Sequence, residues 1–107
     1  MAVAYSDFAK MDIRVGTIEH VERVQGTDKL YKLEVDIGSE KRTLIAGLRP
    51  WYEPADLVKK QIVMIVNLEP KIIKGIKSHG MLLAGQDSST VALLKPDRRL
   101  DNGAKVM

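Results

Sequence analysis

The sequence predicts an all-β fold, a small five-stranded barrel with one short helix between its third and fourth strands. Three observations carry the prediction. Apolar residues recur with a period of two in several short runs, turn-forming residues separate those runs, and one proline-initiated segment interrupts them. The 107 residues suffice for one domain and are too few for two, so 1–107 reads as a single unit. Its barrel core is placed at about residues 12–86 and a C-terminal extension at about 87–107. With 45% hydrophobic and 29% charged residues, the composition is that of a globular protein and not of a disordered one.

Taken in order, Tyr5 to Lys10 predicts one helical turn capped by Ser6 or Asp7. From Ile13 the period is two, with Val15 and Thr17 alternating against Arg14 and Gly16. The apolar parity then slips at Ile18 and Val21, which predicts a long, bulged and bent first strand turning near the glycine. Gly26 to Asp28 is a turn, and Tyr31, Leu33, Val35 and Ile37 give a clean half-buried second strand. Gly38-Ser39-Glu40 closes a hairpin onto a third strand, Arg42 to Ala46. After a loop from Gly47 to Tyr52, Pro54 opens a short helix over Ala55 to Val58, with Lys59 and Lys60 near its C-terminus. The unbroken apolar run Ile62 to Val66 predicts a fourth strand covered on both faces. A loop from Glu69 to Gly80, a fifth strand from Met81 to Ala84, a Ser88-Ser89 turn into Val91 to Leu94 and a polar tail complete the chain. Three strands, a helix and two strands is the order of the OB-fold, a Greek-key barrel.

Several function classes fall away on composition. Without cysteine there is no disulfide framework, thiolate zinc site or cysteine nucleophile, which suits a reducing, cytoplasmic setting. The N-terminus lacks the pattern of a signal peptide, and Ile62 to Val66 is far too short to cross a bilayer, so no membrane partner is expected. The two histidines do not form a catalytic constellation. His20 reads as a surface strand residue, and Ser78 and His79 are sequence neighbours whose side chains do not face each other. No phosphate-cradling or dinucleotide fingerprint is present, so neither catalysis nor a cofactor is expected. The formal net charge of +3 and pI near 9.2 fit an anionic partner.

The informative stretch runs from Asn67 to Met81, where Lys71, Lys74 and Lys77 recur at a spacing of three. Two readings stand side by side. The lysines solvate a loop, or they form a phosphate-binding edge on which Asn67 and Ser78 add hydrogen bonds to phosphate or sugar. Ile72, Ile73 and Ile76 interrupt the lysines and anchor the loop to a core or a partner.

Asp12-Ile13-Arg14-Val15-Gly16, Asp28-Lys29-Leu30, Arg42-Thr43-Leu44-Ile45-Ala46-Gly47 and Asn67-Leu68-Glu69-Pro70-Lys71 resemble the successive signatures of a known family. So do Lys74-Gly75-Ile76 and Ser78-His79-Gly80-Met81. That family is the tRNA-binding domain found at the C-terminus of many methionyl-tRNA synthetases, in stand-alone tRNA-binding proteins and in synthetase-associated cofactors. The resemblance runs from about Asp7 to the C-terminus. It implies an OB-fold, tRNA as partner recognised by shape, and a homodimer built by the C-terminal extension, with a methionyl-tRNA synthetase catalytic chain as a further partner. Carried over by position, the implied tRNA contacts are Lys29, Arg42, Asn67, Lys71, Lys74, Lys77, Ser78, His79 and Met81. Met81 reads equally as a core residue opening the fifth strand. Aromatic residues make up only 5% of the chain, too few for the stacking platforms of a single-strand binder, which favours backbone and shape recognition. Two other readings are open: a related branch of barrel dimers resembles a secretion-linked chaperone for extended peptides, and the chain could serve as a purely structural dimerisation module.

Overall fold

A computed structural model describes all 107 residues. Its elements are α1 (Tyr5–Phe8), β1 (Ile13–Arg23), β2 (Tyr31–Asp36), β3 (Lys41–Ala46), α2 (Pro54–Leu57), β4 (Gln61–Ile65), β5 (Lys71–Ile73), β6 (Ile76–Ser78), β7 (Met81–Leu82), β8 (Ala84–Gln86) and β9 (Val91–Leu93). The main sheet has the antiparallel order β3-β2-β1-β4-β7. It curls into a nearly closed barrel of OB type, with the His79 N–H donating to the Thr43 carbonyl of β3 at 2.9 Å where the two ends approach.

β1 makes this closure possible because it serves two neighbours. Ile13 to Thr17 pair with β4, and Thr17 onward pairs with β2. The register shifts between Ile18 and His20, so the bulge lies at Glu19, beyond Gly16 where the parity change had placed it. An extra residue in one strand raises the local twist, and the strand bends between the two halves of the barrel. His20 is exposed on the strand, as its setting implied.

The barrel interior is built by the period-two residues. Ile18, Tyr31, Leu33, Val35, Leu44, Leu57, Ile62 and Met64 are buried and pack as one cluster. The Tyr31 hydroxyl donates to the Tyr52 carbonyl at 2.7 Å, which satisfies the polar end of a buried ring. Tyr52 in turn packs on the cluster, and its hydroxyl accepts the Leu93 N–H at 3.1 Å.

The opposite face of β4 is covered by the chain's own C-terminus. The Gln61 side chain donates to the Leu100 carbonyl at 2.6 Å and accepts the Leu100 N–H at 3.1 Å. Asn102 accepts from Thr17, the partner of Gln61 across the ladder, at 2.6 Å. Beyond it, Gly103 to Val106 lie along β1, through Gly103 N–H to Val15, Val15 N–H to Ala104 and Val106 N–H to Ile13. The segment that reads as a polar tail is thus part of the folded body.

Four local expectations are corrected. The first helical turn is capped by Ala4 with no side-chain bond, and Ser6 and Asp7 lie inside it. α2 spans Pro54–Leu57, one residue earlier than expected, and Lys59 and Lys60 follow close after its C-terminus. A capping box between Glu53 and Asp56 starts that helix. The stretch from Glu69 to Gly80 is no plain loop, because it holds the β5–β6 hairpin. The expected fifth strand is shorter, since β7 ends at Leu82 and β8 turns away to pair with β9.

Candidate nucleic-acid interface

The β5–β6 hairpin presents the lysine-rich stretch. Its register pairs Lys71 with Ser78, Ile72 with Lys77 and Ile73 with Ile76, leaving Lys74-Gly75 as a two-residue turn. Both turn residues have positive φ, 53° at Lys74 and 78° at Gly75, the geometry that matches the twist of a tight hairpin. Cross-strand partners share a face, so Ile73, Ile76 and Ser78 turn inward while Ile72 and Lys77 turn out. The isoleucines therefore divide: two anchor the hairpin and Ile72 stands 71% exposed beside the lysines.

Two features lock the hairpin onto the barrel. Ser78 is buried, and its hydroxyl accepts the Ile45 N–H of β3 at 3.0 Å. Gly80 has φ 124°, a conformation that L side chains rarely adopt, and a Cβ there would also press to 3.1 Å on the Ile65 carbonyl and the Leu44 side chain, so a larger residue between the hairpin and β7 is strained. A cleft of about 650 Å³ remains between hairpin and barrel, lined by Ile45, Leu68, Ile73 and Met81 with Lys71 and Ser78 at its margin. Ile45 and Leu68 belong to no motif of charge or hydrogen bonding, and only the docking of the hairpin reveals them.

The implied contact residues separate into two groups. Lys71, Lys74 and Lys77 are exposed, and none has a carboxylate within 4.0 Å, whereas Lys10, Arg14, Arg23, Lys41, Arg42 and Arg98 do. Met81 is 49% exposed on the cleft. Lys29 is exposed in the loop between β1 and β2, where its carbonyl accepts the Arg49 N–H, just past the end of β3 on which the hairpin's base docks. The side chains of Arg42, Asn67 and Ser78 are engaged within the protein, whereas His79 is bonded only through its backbone. Arg42 donates to Glu40 at 2.6 Å, to the Val66 carbonyl at 2.8 Å and to the His79 carbonyl at 3.3 Å. Asn67 accepts the Asp12 N–H and donates to the Lys10 carbonyl, both at 2.8 Å, tying the N-terminal segment to the end of β4.

Electrostatics follow from this arrangement. The Arg42 hydrogen bond and charge hold the Glu40 carboxyl below its ordinary range. His79 is half-buried, and burial lowers its pKa, with the Arg42 and Lys77 charges adding in the same direction. That shift favours the neutral ring in the free protein. No group of three or more His, Asp or Glu side chains gathers in a way that could hold a metal ion, and no helix is long and apolar enough to cross a membrane.

This chain is similar to known proteins over its whole length. The methionine–tRNA ligase of Pyrococcus horikoshii is 50% identical over 104 residues, 97% of this chain and 14% of that protein. That of Pyrococcus abyssi is 51% identical over 106 residues, 99% of this chain and 15% of the relative. The chain thus spans about one-seventh of the length of the curated relatives it matches. Among solved structures, a MetRS-related protein from Pyrococcus horikoshii superposes with a TM-score of 0.94 at 32% identity, covering 100% of this chain and 99% of that one. The chaperone CsaA from Bacillus anthracis superposes with a TM-score of 0.91 at 34% identity, covering 100% of both chains. The family model described as "Putative tRNA binding domain" matches residues 13–105. A barrel of OB type, an unpaired lysine hairpin and a family match across nearly the whole chain agree: the chain belongs to the tRNA-binding domain family.

Proposed function

We propose that this chain binds folded tRNA through its backbone, with Lys71, Lys74 and Lys77 on phosphates and Lys29 and His79 adding contacts along the same side. Met81 and the cleft beside it receive an unstacked base. Arg42, Asn67 and Ser78 act by fixing the hairpin and the end of β4 in place. The observation that carries this reading is the hairpin itself, which displays three exposed lysines, one at its turn and one on each strand, none with a carboxylate within 4.0 Å. Contacts to phosphate and sugar carry little base information, so many tRNAs bind alike and selectivity comes from the spacing of backbone segments.

In this reading the chain catalyses nothing, and it serves methionyl-tRNA synthetase as a C-terminal domain or a separate subunit, or works alone in the cytoplasm as a homodimer. Light scattering at micromolar concentration should give twice the chain mass. Deleting 101–107 is no clean probe of that interface, because the same residues hold β1.

The apolar lining of the cleft and the likeness to CsaA favour one second reading, capture of an extended peptide. Salt separates the two. With about six phosphate contacts, tRNA affinity falls on the order of a thousand-fold between roughly 50 and 200 mM salt, whereas peptide burial in an apolar cleft is nearly flat. Displacement of tRNA by an equal concentration of unstructured oligonucleotide of matched length would count against shape recognition.

A further inference from the structure

A second basic cluster lies at the other end of β4. A cleft of about 370 Å³ is rimmed by Lys59, Lys60, Lys95, Arg98 and Arg99. Two carboxylates also line it, Asp56 and Asp97, so five positive charges against two negative leave a local excess of three, equal to the formal charge of the whole chain. Neither carboxylate neutralises the cluster. Asp56 is occupied in the capping box of α2. Asp97 is almost fully exposed and 3.8 Å from Arg98, a solvent-screened pair of little strength.

The cluster is assembled from two segments far apart in sequence, and each is fixed by backbone or buried side-chain bonds. Lys59 and Lys60 are clamped to Ile18 of β1: the Lys59 N–H donates to the Ile18 carbonyl at 2.7 Å, and the Ile18 N–H donates to the Lys60 carbonyl at 3.0 Å. Residues 95–99 form a loop pinned at both ends on β4, by the Val63 N–H on Leu94 and by the Gln61 side chain on Leu100. Cations packed this way repel one another, and a polyanion relieves that repulsion.

Backbone conformation marks the same place. Only two non-glycine residues in the chain have positive φ, Lys59 at 71° and Lys74 at 53°. Glycine or asparagine would hold either position at lower conformational cost. Both are lysines, and each stands in one of the two basic clusters. Backbone strain retained at a charged residue points to a use for the charge.

We infer that the Lys59–Lys60 turn and the Lys95–Arg99 loop form a second phosphate-binding cleft, which holds a separate backbone segment of the folded RNA that the hairpin holds. The inference rests on the tRNA-binding reading. At about 3.3 Å per residue, the five residues of β4 put the two clusters roughly 16 Å apart, too far for one phosphate to touch both. The cleft is open and Lys59, Lys95, Arg98 and Arg99 are exposed, while Lys60 is half-buried with its ammonium 4.9 Å from the Tyr52 ring, an arrangement that suits a run of phosphates and not a single desolvated ion. Two contact sets at a fixed separation also supply what shape recognition needs.

The test is tRNA affinity as a function of salt for wild type, R98Q/R99Q, K71A/K74A and Lys59→Gly, with hydroxyl-radical footprints of the bound tRNA. R98Q/R99Q should lower affinity at 0.1 M salt by at least about ten-fold and reduce the salt slope by about two. Wild type should protect two backbone segments of the tRNA, and R98Q/R99Q should lose one. Lys59→Gly should keep or raise the melting temperature, since glycine accepts that φ, and still weaken binding, which a purely structural role for Lys59 does not predict. Unchanged affinity and footprint in R98Q/R99Q, beside a clear loss in K71A/K74A, overturns the second cleft and leaves tRNA binding intact. Absence of salt-dependent tRNA binding in wild type removes the underlying reading instead. Loss of inorganic phosphate or acidic-peptide binding in R98Q/R99Q, with tRNA unaffected, likewise assigns the cleft elsewhere and overturns the inference.

Discussion

The Ser78 hydroxyl accepts the Ile45 backbone N–H at 3.0 Å, and through that bond the lysine hairpin is held against β3. Ser78 is buried, and the bond it makes is part-buried at the margin of the cleft. Ser78→Ala should cost about 0.5–1.5 kcal/mol, the net worth of one such hydrogen bond. It should also weaken tRNA binding without changing any charge, so the salt slope should stay near that of wild type. Urea denaturation and a salt titration read the two effects separately.

Arg42 stands in the family pattern as an RNA contact, but its guanidinium spans Glu40 and the carbonyls of Val66 and His79. Arg42→Lys cannot make these bonds together, because an ammonium is a point charge and not a planar fork. A loss of about 1.5–3 kcal/mol of stability is expected, with the slope of log K against log salt unchanged. A drop of about one in that slope would make Arg42 a phosphate ligand after all.

Lys74 opens a turn whose first position asparagine or glycine fills most readily. Lys74→Asn should therefore raise the melting temperature, by the equivalent of up to about 1 kcal/mol. The same change should weaken tRNA binding and lower the salt slope by about one. A variant that is stabilised and binds tRNA as wild type does would remove Lys74 from the interface.

His79 gives a pH dependence with two opposite signs. Burial, then the charges of Arg42 and Lys77, depress its native pKa below the ordinary 6.5. The unfolded chain consequently binds the proton first, and stability falls as pH drops below about 6.5 toward the native value. Phosphate beside the ring favours the charged form, so tRNA affinity should rise over the same range. His79→Gln should flatten both curves. Parallel pH dependence of affinity in wild type and variant would place His79 away from phosphate.

The sequence alone determined the barrel and its membership of a family. Period-two runs at Tyr31 to Ile37 and Arg42 to Ala46 are local signals, and so are the turn residues between them and the proline that opens α2. Each of these is set within a few residues of chain, where side-chain alternation and backbone φ act directly. The lysines at 71, 74 and 77 were legible for the same reason, as was the tRNA-binding domain family through the motifs around them. What each polar residue does with its side chain was not legible. Whether Ser78 faces solvent or Ile45, and whether Arg42 reaches a phosphate or the carbonyls of Val66 and His79, depends on segments 24 to 37 residues away. The meeting of Lys59 and Lys60 with Lys95, Arg98 and Arg99 depends on Gln61 capturing Leu100 across 39 residues. A basic residue carries no mark of the neighbour that leaves it unpaired. That is decided only when barrel closure brings distant backbone groups within hydrogen-bonding distance and commits some side chains inward while leaving others free.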